Sequence, residues 1–267
     1  MTVLAAGIAL LSSLFFALGA ALQQHEAARA AQPRLSVLLR RPRWLLAGAS
    51  IAVGSGLHIS ALSVGPLTVV QPMGVASLLF ALAVAAALHG RKPSWSELAA
   101  ACVVGIGLTG LILLVPTTSH APALNSTEAV TMLSGAALAA LACFTVAKRL
   151  TAAGRTALLA IGAGVMYGAV ATLTRALAGG TGWDLWLLAI LPFPALAALM
   201  LLQRAYAIGH FAVAYATLQL ADPLTAIACG ALLLGEPLPT NTTAAVAAVL
   251  LATAGTFALA RTTPMSR

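Results

Sequence analysis

A phenol, an amide and a carboxylate share one face of a strongly apolar run. Tyr215, Gln219, Asp222, Ala226 and Cys229 follow one another at steps of four, three, four and three, the period of a single helical face. The run around them, from about Phe211 to Leu234, has the roughly 20 residues that a bilayer-spanning helix needs. A carboxylate at that depth costs about 3 kcal/mol on insertion scales, so Asp222 is a functional-site candidate by default. It could take up a proton, with protonation linked to release of a bound solute, or act as the counter-charge of a cation. The structural alternative is an aspartate that caps the helix restart after Pro223 or pairs with Gln219 alone. Pro223 has no N–H for the carbonyl of Gln219, so a kink is predicted beside the carboxylate, as in the broken helices of many substrate sites.

Other residues could join this site. Gln71 and Pro72 lie near one end of a second apolar run, where Pro72 frees the carbonyl of Thr68 and a polar notch is predicted; Pro72 also suits a helix's first turn. Arg175 could hold an anionic group, pair with Asp184 or snorkel to the surface. Pro192 and Pro194 interrupt a third run and predict a kink, for gating or for packing. His58 could relay protons or simply pack through a hydrogen bond.

The elements that position these residues are legible from composition. Of 267 residues, 61% are hydrophobic and 7% charged, too few charges to cover a water-soluble domain. Nine apolar segments are predicted to span a membrane: about 2–22, 44–64, 67–88, 98–115, 127–147, 156–178, 185–203, 211–234 and 242–260. The net charge of +8 does not point to nucleic acid, because the basic residues fall in the short gaps between the runs. Arg29, Arg34, Arg40, Arg41, Arg43, Arg91, Lys92, Lys148, Arg149, Arg155, Arg204, Arg261 and Arg267 all lie on one side, and only Arg175 on the other. By the positive-inside rule the N-terminus is outside and the C-terminus inside. Trp44, Trp95, Trp183 and Trp186 fall at predicted helix ends, as interface-seeking indoles do. The polar stretch from Gln23 to Arg43 is predicted to lie at the inner surface, either as a loop that sets topology or partly as a short helix on anionic headgroups.

The chain also repeats itself. Ala61–Gly65 matches Ala205–Gly209, Gly90-Arg91 matches Gly235-Glu236, and Ile106–Leu114 matches Leu251–Leu259 with Gly110 on Gly255. Residues 1–116 then form a first four-helix repeat, 117–155 a linking helix, and 156–267 a second four-helix repeat. One intervening helix makes the two halves run oppositely through the membrane, an inverted repeat suited to alternating access. Glycines at 105, 107 and 110, and at 162, 164 and 168, mark close helix packing, within the chain or in a homodimer.

Asp222–Leu238, DPLTAIACGALLLGEPL, resembles the half-repeat ending of the drug/metabolite transporter superfamily, the EamA-like repeats. The nine-helix plan, Ser12–Gln24 and Val64–Arg91 are similar to its NIPA-like magnesium transporter branch. The chain departs from that branch at Gln23-Gln24, Gln71-Pro72 and Gly90-Arg91, where two lysines, Thr-Pro and Asn-Glu are usual, and at Tyr215-Ala216, which stands where a second Thr-Pro is expected. The resemblance implies a secondary transporter and places Arg175 near the lysine that ends the first helix of the second half.

The expectation is therefore an all-α multi-pass protein of the cytoplasmic membrane, in contact with lipids, that moves a small organic metabolite or a cation. Its site would be lined by Gln71, Tyr215, Gln219, Asp222 and Arg175. The alternatives are a Mg²⁺ transporter of NIPA-like type, with Asp222 as the one carboxylate on the ion, and a non-transporting scaffold or lipid-handling protein. No phosphate-binding loop, nucleophile motif, carboxylate pair or metal-ligand spacing occurs, so neither an enzyme, nor a cofactor, nor a resident metal is expected.

Overall fold

The computed structural model describes residues 2–30, 32–65, 67–116, 125–179 and 185–263. The side chains at 2, 67, 68, 71, 72, 178, 179 and 185–187 lie outside the described set. Among the described residues every regular element is a helix. In chain order these are α1 Thr2–Ala28, α2 Leu35–Leu38, α3 Pro42–Val64, α4 Leu67–Val75, α5 Ser77–Leu88 and α6 Trp95–Leu114. The second half holds α7 Ser126–Ala147, α8 Ala152–Gly179, α9 Leu185–Ile190, α10 Pro192–Ile208, α11 Phe211–Leu233 and α12 Thr242–Thr262. Eight of the helical segments are long and apolar enough to cross a membrane, and the helical stretch Met73–Leu88, across the end of α4 and α5, is apolar but shorter. The protein is an all-helical, multi-pass membrane protein.

Local chemistry fixes the helix ends. Ser94 and Glu97 form a reciprocal capping box that starts α6, and Asn125 and Glu128 do the same for α7. The Asn241 side chain accepts from the Ala244 N–H and starts α12. Gly90 and Gly235, paired by the sequence repeat, both turn the chain after a helix with left-handed backbones of φ 66° and 62°. A side chain there would be strained.

Small residues let the helices approach closely. The most extensive contacts join α1 to α3, α8 to α11 and α6 to α12. A Cβ on Gly107 would stand 2.6 Å from both the Ala248 carbonyl and the Ala252 amide, and one on Gly255 would stand 2.7 Å from the Val104 amide. Gly105 and Gly162 likewise meet side chains of their own protomer, so these glycine surfaces are consumed inside the chain. The core is correspondingly rich in alanine and runs through α1, α5, α6, α8, α10 and α11.

Several predicted boundaries move. The first helix reaches Ala28 rather than Leu22, and Gln23, Gln24, His25 and Glu26 are buried. Partners from other segments make this possible for two of them: Arg41 donates to Glu26 at 2.9 Å and Gln203 donates to Gln23 at 2.9 Å. The predicted span 67–88 is two helices separated at Ala76. The Met73 carbonyl there accepts from the Ser13 hydroxyl at 2.7 Å and from the Ala76 N–H at 3.1 Å, which tightens the turn. The seventh span breaks at Leu191, one residue before Pro192, as its prolines predict. α11, by contrast, runs through Pro223 without a break. Trp44 is no interface indole. It is buried and donates to Gln203, whereas Trp95 is 87% exposed at its helix end. Trp183, Asp184 and the Trp186 side chain lie outside the described residues.

One ion pair ties the end of α5 to the start of α6. Glu97 is fully buried and receives both Arg91 nitrogens, at 2.8 and 3.0 Å, and the Ser94 N–H at 2.7 Å. Glu97→Gln removes the charge that Arg91 faces. Thermal unfolding in detergent should show a loss of about 2 kcal/mol, because the partly exposed Arg91 guanidinium loses its charged acceptor.

Candidate functional site

A cavity of about 680 Å³ lies between the first and second halves of the chain. α1, α3, α4, α5 and α6 supply one side of it; α8, α10 and α11 supply the other. It collects the polar face of α11: Tyr215, Gln219, Asp222 and Pro223 all line it. The face is shorter than its period suggests. Ala226 instead abuts Gly168 on α8, and Cys229 packs with the cluster around Met166 and Leu173.

Ser77, the first residue of α5, connects the halves. Its hydroxyl oxygen accepts from the Tyr215 hydroxyl at 3.2 Å and from the Gln219 amide at 2.8 Å. Asp222 makes no hydrogen bond or ion pair with any described residue. The expected pairing of Asp222 with Gln219 is therefore not formed, because Gln219 turns to Ser77. Asp222 is the one carboxylate on the described lining, which carries no lysine or arginine. The rings of Phe16, Trp44, Tyr167, Tyr206 and Tyr215 border the same space. A carboxylate among aromatic rings in a cavity of this size suits a positively charged organic molecule.

Toward the basic segments, hydrogen bonds and rings join the helices around the cavity. Trp44 Nε1 donates to Gln203 Oε1 at 3.2 Å, and Gln203 Nε2 donates to Gln23 Oε1 at 2.9 Å, tying α3, α10 and α1 together. Below Tyr215 the rings of Phe211 and Tyr206 follow at 5.7 and 5.5 Å. The pairs Arg41–Glu26 and Arg91–Glu97 lie at this same end, and the His25 and His89 rings meet there edge-on at 5.4 Å. His210 sits in the short turn between α10 and α11, where burial pushes its imidazolium below the ordinary histidine range.

His58 belongs to the cavity lining, and its buried Nδ1 has no hydrogen-bond partner among the described residues. At that nitrogen the predicted packing bond is not made to any described residue. Arg175 is absent from the lining. Its guanidinium pairs with Glu236 at the end opposite the basic segments, and its side chain is 53% exposed. Pro192 and Pro194 stand in the first turn of α10, outside the lining. The side chains of Gln71 and Pro72 lie outside the described residues.

Sequence reasoning missed Ser77, Gln23, Trp44 and Gln203. Gln203 did carry a signal, since an uncharged amide inside an apolar run must find a partner. Ser77 carried none, because a serine hydroxyl can bond to its own helix backbone. Gln203→Ala leaves the Trp44 N–H and the Gln23 carbonyl buried and unpaired. A loss of about 2 kcal/mol in unfolding free energy is expected, together with freer access of thiol reagents to a cysteine placed at Gly48.

Comparison with protein-family models, with curated proteins and with solved structures gives no match to this chain, so its function has to follow from the chemistry of this cavity.

Proposed function

We propose that the protein is a secondary transporter that carries a small organic molecule bearing a positive charge across the cytoplasmic membrane by alternating access. The observation that carries this reading is the cavity between the two halves, lined by one carboxylate that has no hydrogen bond or ion pair with a described residue, its walls tied together by the Gln23–Gln203–Trp44 chain. In this reading α4 and α5 together make one span, for nine in all, and the basic end faces the cytoplasm.

The pattern of helix contacts supports an inverted repeat. α1 packs on α3 and on α4–α5, as α8 packs on α10 and on α11. α6 packs on α12, its own counterpart, with Gly107 against Ala252, which the sequence repeat pairs with each other. Rocking one half on the other about this contact would change access to the cavity from the two sides. Asp222 would hold either the cargo's cation or a proton, so the two compete for one carboxylate. Ser77, Gln219 and the rings would orient the rest of the cargo. Carrier-type motion requires that the Gln23–Gln203–Trp44 chain break in the other state.

Mg²⁺ as cargo is the second reading, favoured by the oxygen donors of Asp222, Gln219, Ser77 and Tyr215 near one another. A single carboxylate is at the low end of what a divalent ion takes from protein. Uptake into liposomes decides between them. Purified protein should accumulate a labelled primary or quaternary amine when a pH gradient is imposed, and Mg²⁺ should neither accumulate nor compete. Accumulation of Mg²⁺ alone would replace the first reading by the second. Uptake that rises linearly with concentration without saturating would mean a channel, and no uptake of any solute would leave a scaffold.

A further inference from the structure

A second cavity, of about 750 Å³, opens at the basic end and is separate from the first. Four segments wall it: the stretch 32–36 leading into α2, the end of α7, the start of α8 and the end of α10. Each brings a cation. Arg34 precedes α2, Lys148 caps α7, Arg155 lies in the first turn of α8 and Arg204 on α10. The Phe144 ring lies under two of them, 4.8 Å from Lys148 Nζ and 4.9 Å from Arg204 Cζ.

No described residue neutralises this group. No acidic residue lines the cavity among the described residues. Glu26, Glu97 and Glu236 are committed to Arg41, Arg91 and Arg175, Asp222 lies in the central cavity, and Glu128 caps the opposite end of α7. None of the four cations donates a side-chain hydrogen bond to a described residue. Like charges gathered round one concavity repel, and an anion seated among them removes that cost. Guanidinium forks match tetrahedral oxyanions, and a phosphate spreads its charge over several oxygens that can meet more than one cation. Gln32 and Ser36 add uncharged polar groups, and Leu35, Leu159, Met200 and Ile208 give the wall an apolar part.

We propose that this pocket binds a phosphate-bearing anion. Two sources carry that chemistry: the headgroup of an anionic phospholipid, whose glycerol and first acyl carbons fit the apolar wall, and a soluble phosphate. The site is independent of the central cavity and of whatever that cavity carries.

The test uses the full chain in neutral detergent at low salt, with the thermal unfolding midpoint as readout. Phosphatidylglycerol, phosphatidylcholine, inorganic phosphate and chloride are titrated separately. A saturable rise with phosphatidylglycerol and none with phosphatidylcholine is the expected result and assigns the lipid source. A rise of equal size and affinity with inorganic phosphate assigns the soluble source. Arg155→Gln with Arg204→Gln should weaken the half-saturation point about thirtyfold, since each cation near an anionic surface counts roughly equally. Arg40→Gln with Arg261→Gln, two basic residues outside the pocket, should change it less than twofold. If the pocket pair does not fold, Lys148→Gln alone should weaken binding about fivefold. A response that does not distinguish the anionic phosphate ligands, phosphatidylglycerol and inorganic phosphate, from zwitterionic phosphatidylcholine and from chloride overturns the proposal. So does an equal loss in the Arg40/Arg261 control.

Discussion

Asp222→Asn is expected to cut uptake of a cationic solute about a hundredfold while leaving the protein folded and at least as stable. The carboxylate has no ion pair or hydrogen bond with any described residue, so the substitution takes nothing from the folded chain except a charge that is costly at that depth. Asparagine has nearly the same shape and leaves the Ser77–Gln219 bond at 2.8 Å untouched. What it takes from the cargo is its counter-charge, and removing one member of a desolvated charge pair costs about 3 kcal/mol, a factor of about a hundred. The two readouts move in opposite directions, which separates a transport role from a structural one. An Asp222 that served only as a helix cap would lose stability and keep uptake. If uptake persists in a stable Asp222→Asn protein, the charge neither couples nor selects.

Gly168→Ala should be the most damaging single-methyl change in the second half. The added Cβ would stand 2.5 Å from the Asp222 carbonyl oxygen, 2.7 Å from Thr225 Cβ and 3.1 Å from the Ala226 amide. The first and last are backbone atoms and cannot turn aside, so α8 and α11 must separate. Overpacking of this kind costs about 2 kcal/mol. The displaced atoms belong to the turn that carries Asp222 into the cavity, so solute affinity should fall with stability even though no lining side chain has changed. Gly7→Ala is the control. Nothing lies within 4 Å of its Cβ position, and alanine favours the helix, so its unfolding midpoint should hold or rise. Equal midpoints for the two variants would mean that α8 and α11 do not meet closely at Gly168.

Much of this protein is written locally. A run of some 20 apolar residues has few alternatives to a spanning helix, because its backbone groups must be satisfied within the segment where water is absent. That is why most spans stand within a few residues of their predicted limits, and why the Asp222 face could be read from spacing alone. Where the sequence misled, the cause was a partner distant in the chain. Gln23 and Glu26 looked like loop residues because polarity signals exposure, until Gln203 and Arg41 supplied partners from 180 and 15 residues away. Trp44 looked like an interface anchor for the same reason, until Gln203 met its indole 159 residues along the chain. Ala76 gives no break signal, because the hydroxyl that holds the Met73 carbonyl comes from Ser13 on another helix.

The sequence by itself therefore determined the helical membrane class, the small-residue surfaces and the identity of the isolated carboxylate, since each depends on hydrophobic periodicity or on a residue's own solvation cost. Only the tertiary structure decided what surrounds that carboxylate. It turned Gln219 to Ser77, sent Arg175 to Glu236 rather than to the cavity, brought His58 into the lining, and gathered Arg34, Lys148, Arg155 and Arg204 around one pocket. Those arrangements follow from how glycine and alanine allow particular helices to touch, and a spacing within one helix holds no record of its neighbour.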